Sequence, residues 1–116
     1  MTSLYRVTFW AALIFAFVMA LLPRPPQLPG APSDKVQHIF AFVTLAAFAA
    51  AAYRSVPLVK LLAGLSIFGA LIEVLQAVPM LNRDSDPVDW VADTIAAALV
   101  CAVVRWWRSK QERGVA

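Results

Sequence analysis

Four stretches of this chain, residues 7–23, 39–52, 61–72 and 94–104, carry no acidic or basic side chain at all. A helix of ~20 residues rising ~1.5 Å per residue crosses the ~30 Å hydrocarbon layer of a bilayer. In water, four such segments would have to be hidden inside the fold, and the chain is too short for that. It has 116 residues, 61% apolar and 15% charged, where soluble domains average about 45–50% and about 25%. A domain of this size buries only about two thirds of the surface its unfolded chain exposes. Lipid has to supply the remaining apolar surroundings.

Each stretch is bounded by helix punctuation. The first, 5–22, runs into a segment with five prolines between Pro23 and Pro32, which no helix continues through. The second, 34–53, opens at Ser33 and Asp34, both N-cap types, and has an alanine-rich body. After the turn at Arg54, Ser55 and Val56, Pro57 suits the first turn of the third segment, 57–78. The fourth, 87–107, follows Asp86 with a first-turn proline, Pro87. The charges that shorten the third and fourth apolar runs lie toward the helix ends and leave the middles apolar. The expectation is an all-α, four-span membrane protein forming a single domain over 1–116, with a tail at 108–116. A secretory signal peptide is the rival reading of the first segment, with Arg6 ahead of an apolar core and small residues near Ala20.

Orientation follows from the basic residues in short loops. With both termini in the cytoplasm, Arg6, Arg54, Lys60, Arg105, Arg108, Lys110 and Arg113 lie inside, and Arg24, Lys35 and Arg83 outside. The seven-to-three split favours that topology. The acids divide the other way, with Glu112 inside and Asp34, Glu73, Asp84, Asp86, Asp89 and Asp93 toward the outside. The net charge of +3 and pI near 9.5 therefore describe a dipolar molecule facing lipid headgroups, and nucleic acid is not an expected partner. Tyr5, Trp10, Tyr53, Trp106 and Trp107 fall at the inner interface and Trp90 at the outer one.

Alternating topology gathers a polar constellation at the outer ends of helices two to four. Asp34 and His38 are one turn apart; Glu73 and Gln76 are spaced i, i+3; Asp86, Asp89 and Asp93 form an i, i+3, i+7 stripe. Arg83 is the cation of the intervening loop. Capping and the helix dipole account for Asp86 and Asp89, and equally for Asp34. Lys35 reads as a snorkelling side chain and Asp84 as a solvated loop acid. Glu73 and Asp93 lie deeper, where a charge costs a few kcal/mol on insertion scales, so a functional or interhelical role is the default. An ionised carboxylate there needs Arg83 or protonated His38 as a partner, or else titrates upward through desolvation. His38 and Gln76 serve equally well as glue between helices.

Asp34, Lys35, Val36, Gln37 and His38 opening a helix, Glu73 and Gln76 late in the next, then Arg83, Asp89 and a polar residue four positions on, resemble the VanZ-like family of bacterial integral membrane proteins. The resemblance spans about 33–100. Asp93 stands where that pattern usually has Asn, adding a charge, and Ala96 where Gly is usual, which loosens close helix packing. The resemblance implies a multi-pass plasma-membrane protein acting at the outer face, in a family associated with resistance to teicoplanin-type glycopeptides. It specifies no reaction.

Three function classes follow. The first is an outward-facing pocket of Asp34, His38, Glu73, Gln76, Arg83, Asp86, Asp89 and Asp93 that binds an envelope component or amphiphile headgroup. Its acidic bias suits a cationic or hydroxyl-rich group better than a bare phosphate. The second is a small membrane enzyme with Glu73 or Asp93 as general base, His38 as acid or base and Arg83 stabilising negative charge. No catalytic residue is assigned on sequence alone. With one histidine and one cysteine, neither a metal nor a cofactor is expected; the nearest approach to a metal site is His38 with Glu73, Asp89 and Asp93. Cys101 reads as a small apolar residue. The third, ion transport, lacks a relay of charged side chains across the apolar runs. Small-residue faces such as Ala92 and Ala96 permit close contact within a bundle or between subunits alike.

Overall fold

The computed structural model describes residues 2–22, 34–78 and 87–115, with the backbone alone at 2, 34, 35 and 113–115. Four helices make up the fold: α1 (Thr2–Leu21), α2 (Asp34–Ala52), α3 (Leu58–Gln76) and α4 (Pro87–Val115). The all-α, four-helix expectation holds. The bundle measures 56 × 27 × 26 Å.

Local chemistry fixes the ends. Pro57 caps α3 with φ −56° and ψ 137°, and its carbonyl accepts from Lys60 N at 3.0 Å and Leu61 N at 3.3 Å. The turn from α2 is closed by Val56 N donating to Tyr53 O at 3.1 Å. At its far end α3 tightens, with Val78 N on Leu75 O at 3.1 Å, just before Pro79 forbids another turn. Pro87 occupies the first position of α4 and Asp89 its first turn.

Helix α4 is 29 residues long and continues through the segment expected to be a tail from residue 108. The apolar pattern ends at Trp107, but Arg108, Lys110, Gln111 and Glu112 are strong helix formers and nothing breaks the helix before Gly114.

Neighbouring helices run antiparallel in chain order. Around the bundle the order is α1, α2, α4, α3, with α2 packed most extensively on α4 and α1, and α4 also on α3. The core explains why α2 is so rich in alanine: Phe42, Leu45, Ala46, Ala49 and Ala52 recur along one stripe and are each at most 3% exposed. They meet Phe9 of α1, Leu65 of α3 and Ala97 of α4. Small side chains let three helices approach the same backbone, and dispersion over that close contact holds the bundle where no water drives it. Gly69 of α3 serves the same purpose, because a Cβ there would stand 3.2 Å from the Phe42 ring and 3.3 Å from the Trp90 indole.

The outer surface is apolar. Leu4, Val7, Ile14, Phe15, Phe40, Val59, Ile67, Val74, Leu99 and Val103 all exceed half exposure, a spread of exposed apolar side chains that is rare on a soluble monomer. Ser3–Leu21, Leu58–Gln76 and Pro87–Glu112 are each long and apolar enough to cross a membrane, and Val36–Ala52 is a shorter apolar helix. The chain is a multi-pass membrane protein. Helix α2 tolerates the shorter apolar stretch because protein, not lipid, covers most of it.

Candidate functional site

The polar constellation is partly assembled by the packing of α2 on α4. His38 Nδ1 lies 3.7 Å from Asp93 Oδ2, an ion-pair rather than a hydrogen-bond distance, with the two side chains 16% and 5% exposed. Both helices run the same way, so two residues near their starts meet at the same depth. The other Asp93 oxygen, Oδ1, is buried and meets no hydrogen-bond donor among the described residues. Asp89, one turn earlier on the same face, is half-buried with its Oδ1 also shut off from solvent. Two carboxylates at i, i+4 repel one another. The combination places buried carboxylate oxygens of two residues on one face of α4, beside the contact with α2.

Helix α3 contributes differently. Gln76 is 3% exposed, and its Nε2 donates to Ala20 O at 2.9 Å. That bond ties the end of α3 to the end of α1 and satisfies one of the last carbonyls of α1, which the helix itself leaves open. Glu73 is half-buried one turn earlier and is engaged in an interaction of its own. The side chain of Asp34, together with Lys35, Arg83, Asp84 and Asp86, lies outside the described residues. Among the described residues, no three His, Cys, Asp or Glu side chains are grouped to hold a metal ion, so His38, Glu73, Asp89 and Asp93 do not converge as one ligand set.

Below this end, α3 and α4 are stitched by groups that sequence reasoning passed over. Trp90, expected as an interfacial aromatic, turns its indole inward and donates from Nε1 to Ser66 O at 2.9 Å. Ser66 Oγ and Thr94 Oγ1 share a hydrogen bond at 3.1 Å. Thr94 follows Asp93 directly, so these bonds fix the rotation of α4 that aims Asp93 at α2. A serine within the otherwise apolar run 61–72, with a threonine on the partner helix, was the available signal.

The opposite end holds a second unforeseen feature. Two arginines reach the C-terminal carbonyls of α2: Arg6 Nε donates to Ala52 O at 3.2 Å, and Arg108 Nη2 to Ala50 O at 2.8 Å. Cations there complement the negative end of the helix dipole. The Arg6 guanidinium also lies 4.6 Å from the Tyr53 ring centroid, while Trp10 Nε1 donates to Tyr53 Oη at 2.7 Å. The basic residues read as topology markers thus also anchor α1 and α4 onto α2.

No family model, curated protein or solved structure matches this chain.

Proposed function

We propose that this chain is a VanZ-like protein of the bacterial plasma membrane whose acidic end binds the polar headgroup of an envelope component or amphiphile. In that role it contributes to tolerance of teicoplanin-type glycopeptides or to envelope homeostasis. The observation that carries the proposal is Asp93 Oδ1, an acceptor closed off from water with no donor among the described residues. A buried group left in that state costs about 1–3 kcal/mol, and more when charged. An ammonium or hydroxyl of a headgroup arriving from the membrane surface supplies the missing donor. His38 holds the opposite oxygen and keeps the carboxylate in place. The ordered set of Asp34, His38, Glu73, Gln76, Arg83 and Asp89 supports the family reading.

The test is teicoplanin tolerance in a bacterial host expressing wild type, Glu73→Gln or Asp93→Leu, with protein levels followed by immunoblot of the membrane fraction. Both variants are expected to insert at wild-type levels and to lose the tolerance. Tolerance that survives both substitutions overturns the proposal.

A second reading is favoured by the His38 and Asp93 pair itself, since an imidazole beside a carboxylate is a general acid–base arrangement. Such an enzyme would act on a lipid or a cell-wall precursor. Turnover of radiolabelled lipid-linked precursor by purified protein, lost in His38→Gln, distinguishes it from binding alone.

A further inference from the structure

At the end of the bundle opposite Asp93, Arg54 of the α2–α3 turn and Arg108, Gln111 and Glu112 of α4 line a recess of about 500 Å³. Its parts are arranged rather than merely basic. Arg108 is anchored through Nη2 on Ala50 O at 2.8 Å, which orients its guanidinium and leaves other N–H donors for a further acceptor. Arg54 and Glu112 are exposed, and among the described residues neither is engaged in an ion pair. Positions 108, 111 and 112 share a face of α4, with Glu112 about 6 Å along the axis from Arg108. Trp106 and Trp107 are more than half and half exposed on the preceding turn, and Lys110 Nζ lies 5.2 Å from the Trp106 ring centroid. Exposed indoles at a helix end mark the headgroup layer of a membrane, and the recess opens at that level.

We infer that this recess binds the phosphoethanolamine headgroup of a membrane lipid. The phosphate sits between Arg54 and Arg108, whose planar guanidinium forks suit phosphate oxygens. The ammonium, two methylene groups away, meets Glu112, and the Gln111 amide completes the hydrogen bonding. Glu112 is what distinguishes this site from a general attraction of cations to acidic lipids. A carboxylate repels a purely anionic headgroup, and the trimethylammonium of a choline headgroup has no N–H to offer it. The assignment concerns the Arg108 end alone and is independent of what occupies the His38 end.

The experiment is native mass spectrometry of the full chain with phosphatidylethanolamine, phosphatidylcholine and phosphatidylglycerol of identical acyl chains. Phosphatidylethanolamine is expected to be retained in clear preference to phosphatidylcholine. Arg54→Gln should lower that retention about tenfold, the scale of one charge-assisted hydrogen bond. Glu112→Gln should erase the preference over phosphatidylcholine. Both side chains are exposed, so circular dichroism is expected to show an unchanged fold. Equal retention of the ethanolamine and choline lipids overturns the inference. So does preferential retention of phosphatidylglycerol strengthened by Glu112→Gln, the behaviour of an unspecific positive surface. Displacement of the lipid by an equal concentration of soluble glycerophosphoethanolamine would assign the recess to a free phosphoester and overturn the lipid.

Discussion

Asp93 illustrates how much one side chain constrains. It is 3% exposed, faces His38 with one oxygen and keeps the other without a donor among the described residues. The headgroup proposal predicts a graded series: Asp93→Asn, which retains a carbonyl acceptor, keeps part of the tolerance phenotype, whereas Asp93→Leu keeps none. Dose–response curves at matched expression measure the series, and equal loss in both variants contradicts it. The pair has a thermodynamic signature too. His38→Leu and Asp93→Leu are expected to be non-additive by about 0.5–3 kcal/mol in a double-mutant cycle, the coupling of side chains in direct contact; chemical or thermal unfolding in detergent reads it. The presence of an acid cluster at this depth was legible from Asp89 and Asp93 recurring on one face of an apolar run. That a carboxylate so deep needs Arg83 or protonated His38 beside it was legible as well, and His38 is the one that opposes Asp93; the choice between them was not, because contacts between helices leave no trace in the periodicity of either one.

At the scale of elements, the packing rests on close approach. Gly69→Leu should drive side-chain atoms into Phe42 and Trp90, where even a Cβ is tight, and so break the Trp90 bond to Ser66 O. A loss of several kcal/mol is expected, in the range of overpacking plus a lost hydrogen bond, at about 1–3 kcal/mol for each. Tryptophan fluorescence and detergent unfolding measure it. Gly64, with nothing within 4 Å of its would-be Cβ, should accept alanine without loss. Ser66→Ala is expected to cost about 0.6–2 kcal/mol, the usual scale of a hydrogen bond between membrane helices. The helices themselves were readable from apolar runs and prolines, to within a few residues at most ends. The continuation of α4 was not, because an apolar pattern reports where lipid stops, whereas Arg108, Lys110, Gln111 and Glu112 keep the backbone helical beyond that point. The anchoring of Arg6 and Arg108 on α2 was hidden for a related reason: both donate to main-chain carbonyls, and every residue carries one of those.

For the whole molecule, the division of charge predicts that both ends of the chain face the cytoplasm. Ser55, in the α2–α3 turn, and Ser109, on α4, are both exposed and lie toward the same end of the bundle. In a Cys101→Ala background, Ser55→Cys and Ser109→Cys should react with a membrane-impermeant maleimide only after the cells are opened. Labelling of either on intact cells reverses the topology.

The length of α4 has a geometric consequence. Asp93 meets α2 near its start and Arg108 meets α2 near its end. The two positions are fifteen residues apart, about four turns and a sixth of a turn, or ~22 Å along the axis. Both contacts therefore fall within about 60° of azimuth on α4, and one rigid rod is registered against α2 at two latitudes. Turning that rod by a single residue, about 100°, would carry the carboxylate off the imidazole and the guanidinium off the α2 terminus in the same movement. The setting of the acidic end is thereby referenced to the basic end, and a substitution at either latitude is felt as a torque on the other.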